Sequence, residues 1–165
     1  SFALFTLFFG VKAQTNVITT NPIGLAFGNF NANYEKVLNS SSSLVFRGSY
    51  MYSLFGTEVS LGGLGFGYRY YFTHAKKEVP GGFYVNPLAT YAVGSVKGDD
   101  NSRTGISTFA LGAEIGYQWV WQSGFALNLG LGPMYTFVSG FNNNQNTNLA
   151  NGFVPGMTLA IGYAF

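Results

Sequence analysis

The segment FALNLGLGPMYTF, residues 125–137, alternates between two classes of residue. Its odd-numbered positions carry Phe, Leu, Tyr and one Pro, and its even-numbered positions carry Ala, Asn, Gly, Met and Thr. A period of two residues is that of a β-strand, whose successive side chains point to opposite faces. The segment also exceeds the about 9–11 residues that a tilted strand needs to cross a membrane. It therefore predicts a long strand with one bulky apolar face and one small face.

The same alternation recurs in residues 64–72, 109–121 and 155–165. Charged residues make up 8% of the chain, against about 25% in ordinary soluble domains, while aromatic residues reach 18%. From Ile115 to Phe165 there is no Asp, Glu, Lys, Arg or His. This composition excludes a typical water-soluble surface, and it is too apolar for a disordered chain.

Other classes of protein are excluded by simple counts. The chain has no Cys and one His, so neither a disulfide scaffold nor a Cys/His zinc cluster is expected. The formal net charge of +2 is too small to indicate nucleic-acid binding.

The strands must then meet lipid, because no later stretch is apolar for the about 18 residues of a spanning helix. Only helices and closed barrels satisfy every backbone group in hydrocarbon, which leaves a barrel. In a soluble barrel the bulky rows would point inward and overfill an eight-stranded interior. Leaving them in water would cost roughly 1.5–3 kcal/mol for each large side chain. We therefore expect the bulky face in lipid and the small face in the lumen.

The beginning of the chain resembles a secretory signal. Residues 2–11, FALFTLFFGV, form a short apolar run, and Val11-Lys12-Ala13 fits a cleavage site before Gln14. The alternative is a buried first strand or short helix. We interpret residues 1–13 as the remnant of a signal peptide and residues 14–165 as a single barrel domain.

Six turn-like breaks separate seven strand segments. The breaks are residues 39–43, 54–60, 74–82, 97–105, 122–124 and 141–152. Bacterial single-chain barrels have an even number of strands, so an eighth strand is expected from residues 15–27, turning at Gly28-Asn29. The alternative is one long strand over residues 22–38, with the preceding segment as a plug or strap.

The predicted fold is all-β: an eight-stranded antiparallel transmembrane β-barrel with short periplasmic turns and modest extracellular loops. Both termini are then periplasmic, in a bacterial outer membrane. Large aromatic side chains near the periplasmic turns predict a girdle at the level of the lipid headgroups. Its expected members are Tyr34, Tyr70, Phe72, Phe83, Trp119, Trp121, Phe125, Tyr163 and Phe165.

Three stretches carry a family resemblance: residues 16–36 (NVITTNPIGLAFGNFNANYEK), 67–72 (GYRYYF) and 162–165 (GYAF). They resemble small outer-membrane barrels that are common in Bacteroidetes and form a domain family of unknown function. The resemblance implies an outer-membrane barrel and supplies no activity. The closing Ile161, Tyr163 and Phe165 also resemble the signal that the barrel-assembly machinery reads.

Four charged residues fall on the small, inward face: Glu35, Arg47, Arg69 and Glu114. Their charges cancel, and buried charges are tolerated when they are paired. We expect a structural ion-pair network that fills the lumen. The alternative is a gate or narrow conduction path, which requires the network to rearrange.

Catalytic and metal-binding signals are weak. His74 stands in a predicted turn beside Lys76 and Lys77, so a solvated turn residue is expected. The segment Asp99-Asp100-Asn101 is interpreted as a solvated outer turn, and the asparagine-rich residues 141–152 as a polar outer loop. The glycine-rich residues 62–67 are interpreted as a strand with lumen-facing glycines, because no helix follows as in a phosphate loop.

The sequence thus predicts a structural or accessory outer-membrane protein that is not an enzyme and needs no cofactor or metal. Its expected partners are outer-membrane lipid, the barrel-assembly machinery during insertion and a larger outer-membrane complex. The alternative function is small-solute transport or ligand binding, gated by the lumenal Arg/Glu network.

Overall fold

The computed structural model describes residues 14–54, 56–98, 102–142 and 145–165. They form a closed barrel in which each of eight strands pairs antiparallel with its neighbours in sequence and β1 pairs with β8. The strands are β1 (Asn16–Thr20), β2 (Asn29–Val37), β3 (Ser42–Leu54), β4 (Thr57–Tyr71), β5 (Gly82–Lys97), β6 (Arg103–Val120), β7 (Phe125–Asn142) and β8 (Gln145–Ala164). The predicted fold class is confirmed.

The barrel closes through a short first strand. On one side β1 pairs with β8 from Val17↔Ala164 to Thr20↔Ile161, and on the other side it pairs with β2. The expected eighth strand therefore exists, and the alternative of one long strand over residues 22–38 is wrong. The predicted signal segment, residues 1–13, lies outside the described residues.

The predicted extent of the first strand, to residue 27, is wrong. The chain leaves the sheet after Thr20 and forms a short helix, α1 (Pro22–Ala26). The side chain of Asn21 caps this helix by accepting a hydrogen bond from the Gly24 N–H at 2.9 Å, and Pro22 occupies its first turn. Asn at the N-cap followed by Pro is a favourable helix start, and it competes here with strand continuation. Within the described ranges, no helix is long and apolar enough to cross a membrane.

We call the end of the barrel that holds Thr15 and Phe165 the terminal end, and the opposite end the far end. At the far end the predicted loops at residues 54–60 and 141–152 are wrong, because strands occupy most of both. The β3–β4 ladder continues to Leu54↔Thr57, and the β7–β8 ladder continues to Asn142↔Gln145. Ladder hydrogen bonds use backbone groups, so loop-like composition does not end a hairpin. The far-end hairpins are consequently tighter than predicted.

The two faces of the wall differ as the alternation predicts. The outward side chains of Leu64, Leu131 and Met157 are 75%, 69% and 83% exposed. Inward side chains, among them Glu35, Asn86 and Gln118, are buried to 3% exposure or less. A water-soluble protein has the opposite arrangement, with apolar residues inside and charged residues outside. The polar interior and apolar exterior are those of a transmembrane β-barrel.

Candidate functional site in the barrel lumen

The terminal half of the lumen is organised around Glu35 of β2. Its Oε2 atom lies 2.7 Å from Nη1 of Arg69 on β4, and both side chains are at most 5% exposed. Its Oε1 atom accepts hydrogen bonds from the hydroxyls of Ser43 and, at 2.5 Å, Tyr71. Gln118 of β6 donates to Oε2 at 2.9 Å. Glu35 is therefore a carboxylate with both oxygens paired, and this pairing offsets the cost of removing its charge from water.

Neutral side chains extend this cluster across the barrel. The Oε1 atom of Gln118 accepts from Arg69 at 2.8 Å and from Nδ2 of Asn128 on β7 at 2.6 Å. The side-chain Oδ1 atom of Asn128 in turn accepts from the Tyr84 hydroxyl at 2.9 Å. The Tyr84 ring lies under the Arg69 guanidinium, 4.3 Å from its central carbon. We call this set the terminal cluster: Glu35, Ser43, Arg69, Tyr71, Tyr84, Gln118 and Asn128.

A second ion pair lies farther from the terminal end. Arg47 of β3 reaches across the lumen to Glu114 of β6, with Nη2···Oε2 at 2.5 Å and Nη1···Oε1 at 3.2 Å. Glu114 also accepts hydrogen bonds from Asn86 at 3.1 Å and from Thr158 at 2.6 Å. This two-point geometry fixes the arginine fork in one orientation. The structure thus joins the four charged residues named from sequence as two pairs, Glu35 with Arg69 and Arg47 with Glu114.

Inward glycines make room for these side chains. A Cβ atom on Gly116 would lie 2.4 Å from the Tyr84 ring, and one on Gly67 would lie 2.4 Å from Oδ1 of Asn86. Both distances are far below van der Waals contact, so any side chain at either position would displace a lumenal group. Gly67 belongs to the glycine-rich residues 62–67, which lie within β4 as predicted.

A cavity of about 310 Å³ lies on the far side of the Arg47–Glu114 pair. One wall of it is formed by asparagines, and the others by residues of β3, β4, β5, β7 and β8, among them Arg47, Ser49 and Met134. The Arg47 side chain keeps 18% of its surface exposed, whereas that of Arg69 keeps 5%. Solvent therefore reaches the lumen as far as Arg47 and stops there. The lumen consists of an open far half and a filled terminal half.

The predicted girdle residues lie on the outer face near the terminal end. Among them Tyr163, Phe72 and Phe83 are 56%, 49% and 48% exposed, and Trp119 is half-buried. Neighbouring rings touch along the wall, since Phe83 packs edge-on against Tyr117, which lies 4.4 Å from Trp119. Their role at a headgroup level stays a prediction, as does the assembly role of Ile161, Tyr163 and Phe165.

The weaker candidates contribute no chemistry to the lumen. His74 lies in the connection between β4 and β5, where its Nδ1 atom is 2.6 Å from the Tyr71 carbonyl oxygen. Residues 99–101 lie outside the described residues. Across the described ranges, no three His, Cys, Asp or Glu residues approach closely enough to hold a metal ion.

Sequence reasoning missed the neutral members of the terminal cluster. Gln118, Asn128 and Tyr71 all stand on the small face, so their parity indicated the lumen. They carry no charge, however, and nothing local showed that they would converge on Glu35. Tyr84 and Asn86 lie in a segment whose inward positions, Tyr, Asn and Leu, are too large to stand out as a small face.

The fold and lumen define the class: an eight-stranded transmembrane-type β-barrel with a plugged interior. The chain belongs to the family described as Protein of unknown function (DUF3575), whose family model matches residues 1–164. The expected membership in a family of unknown function is thereby confirmed, and an origin in Bacteroidetes stays a prediction.

Two further comparisons complete these findings. No curated protein sequence matches the chain. Among solved structures, it is similar to the outer membrane protein Ail from Yersinia pestis, whose backbone structure was determined in a phospholipid bilayer nanodisc. The two share 13% sequence identity at a TM-score of 0.47, over 92% of this chain and 99% of that chain.

Proposed function

We propose that this chain is an integral β-barrel of the bacterial outer membrane with a structural or accessory role and no enzymatic activity. One observation carries the proposal: the outward rows of Phe, Leu, Tyr and Met are exposed, while Glu35, Arg69 and Glu114 are buried inside. In water, each exposed large side chain would cost roughly 1.5–3 kcal/mol. A bilayer removes that cost along the whole wall at once.

The plugged lumen supports a role without conduction. The terminal cluster spans the interior from β2 to β7 by consecutive hydrogen bonds of 2.6–2.9 Å. An eight-stranded barrel has space only for its own side chains at such a level. Planar-bilayer recordings are expected to show no steady conductance for the wild type or for Arg47→Ala. Conductance that appears or changes in Arg47→Ala would favour the alternative of gated transport.

The outer-membrane location and the orientation are tested together by epitope insertion. An epitope after Gly56, in the β3–β4 hairpin of the far end, should be detected on intact cells. The matched insertion between Lys76 and Lys77, in the connection at the terminal end, should be detected only after permeabilisation. The opposite labelling would reverse the proposed periplasmic position of both termini, and recovery of the protein in the inner-membrane fraction would overturn the location.

The accessory role predicts a partner in the membrane. Outer-membrane lipid surrounds the barrel in this proposal, the barrel-assembly machinery inserts it, and a larger outer-membrane complex packs beside it. Purification from native membranes in a mild detergent should recover a second protein in fixed proportion. Recovery of the barrel as a strict monomer, with no accompanying chain, would contradict the accessory form of the proposal.

A further inference from the structure

The cavity in the far half of the lumen has a wall of amides. Asn29, Asn31 and Asn33 occupy successive inward positions of β2, and all three line the cavity. The side-chain Oδ1 atom of Asn31 accepts a hydrogen bond from the Asn21 N–H at 3.2 Å. Asn33 donates to the Thr19 hydroxyl at 3.4 Å. Each of these amides has both donor and acceptor atoms, so further hydrogen bonds to a bound molecule are available to it.

Two buried polar atoms in this region lack a partner in the protein. The Oδ1 atom of Asn29 and the Nε atom of Arg47 make no hydrogen bond to any of the described residues. A buried polar group without a partner is destabilising, and the large majority of buried polar groups in proteins are hydrogen-bonded. One is an acceptor and the other is a donor, so a group that both donates and accepts suits the cavity.

The charge in the cavity is already balanced. Arg47, the charged residue of its lining, is engaged by Glu114 at two points. Glu114 in turn accepts four hydrogen bonds, two of them from Asn86 and Thr158. An anion would have to compete with Glu114 for Arg47, and a cation would have to compete with Arg47 for Glu114. A neutral ligand meets neither obstacle.

We infer that this cavity is a binding site for one neutral, hydroxyl-rich molecule of the size of a single sugar unit, which enters from the far end. A hydroxyl group donates and accepts at once, as the amide wall and the two unpartnered atoms require. The volume of about 310 Å³ lies at the small end of the about 300–1,000 Å³ found for ligand sites. The inference requires only the folded barrel, and it is independent of the accessory role.

Side-chain amide resonances give a direct test. The protein is folded in a detergent without a sugar headgroup, and D-glucose is added as the probe. The amide resonances of Asn29, Asn31 and Asn33 should shift and saturate with a dissociation constant on the order of millimolar, as for other small ligands. The side-chain amide resonances of Gln118 and Asn128, in the filled half of the lumen, should not shift. Absent shifts up to about 50 mM, or equal shifts in both halves, would overturn the inference.

A matched pair of variants localises the binding. Ser49 lies on the inner face beside Gly63, so Ser49→Phe places a ring in the cavity. Ala32 of β2 is exposed on the outer face of the wall and is not among the residues that line the cavity. Ser49→Phe should weaken glucose binding at least about tenfold, while Ala32→Phe leaves it unchanged. Faster migration of the unheated protein in SDS gels shows whether each variant has folded.

If Ser49→Phe folds and binds like the wild type, the site is not this cavity, and the inference fails. If it does not fold, the amide shifts of the wild type decide alone. A parallel titration with maltotriose distinguishes two sources of the same chemistry. If maltotriose binds more tightly than glucose, the ligand is the end of a longer glycan. If it binds equally or more weakly, the ligand is the free sugar.

Discussion

The Glu35→Gln substitution tests whether the terminal cluster stabilises the barrel as an ion-pair network. Gln has nearly the same volume as Glu, so the substitution removes one charge and little packing. Arg69, whose side chain is 5% exposed, would then keep its charge without a carboxylate partner. Breaking a buried pair from one side costs about 3–5 kcal/mol. We therefore expect the free energy of unfolding to fall by that amount, which lowers the folding equilibrium constant more than about a hundredfold.

The assay is urea unfolding in lipid vesicles, with the folded fraction measured by gel mobility. Glu58→Gln is the matched control, because Glu58 pairs with Lys97 at 2.9 Å on the exposed far end, and an exposed pair contributes little. Replacing both Glu35 and Arg69 by Met should recover part of the lost stability, since no buried charge then remains unpaired, although the neutral donors to Glu35 lose that acceptor. If Glu35→Gln lowers the free energy of unfolding by no more than Glu58→Gln does, the terminal cluster does not stabilise the fold as an ion-pair network.

Two further pairs of substitutions probe the wall of the barrel by the same assay. Gly116→Ala places a Cβ atom 2.4 Å from Tyr84 and should cost about 1–3 kcal/mol, whereas Gly62→Ala, with nothing within 4 Å, should be close to neutral. Leu131→Arg, at an outward position that is 69% exposed, should cost about 2–4 kcal/mol in a bilayer. Phe125→Arg, on the same face at the terminal rim, should cost only about 0–1 kcal/mol. Equal costs within the glycine pair would contradict the assigned faces, and equal costs within the arginine pair would contradict the assigned depths in the bilayer.

Period-two alternation was sufficient to predict most of each strand from β2 to β8 and which of its faces points outward. The side-chain period of a strand is fixed by backbone geometry, and burial acts on alternate positions, so one register satisfies both. The same parity placed Glu35, Arg47, Arg69 and Glu114 on the inner face, where they lie in the structure.

The pairing of those residues could not be predicted from local sequence. Arg47 and Glu114 belong to strands that are not neighbours, and they meet only because the sheet closes into a narrow barrel. The loop assignments failed for a related reason. The asparagine-rich residues 141–152 have the composition of a loop, yet the backbone of β7 continues to pair with β8 there. The start of α1 had a usable signal in Asn21-Pro22, but a helix of five residues leaves almost no periodic pattern.

The central claim is that the bulky rows of the barrel face acyl chains. The chain has no cysteine, so a single engineered cysteine in each variant is the one site at which a spin label attaches. Labels at Leu127, Leu129 and Leu131 on β7 are to be compared for collision with oxygen, which concentrates in lipid, and with a water-soluble nickel chelate. We predict high oxygen accessibility and low nickel accessibility at all three positions. The oxygen accessibility should increase toward Leu131, and the nickel accessibility should decrease. High nickel accessibility at these positions would show a water-exposed face and contradict the membrane assignment.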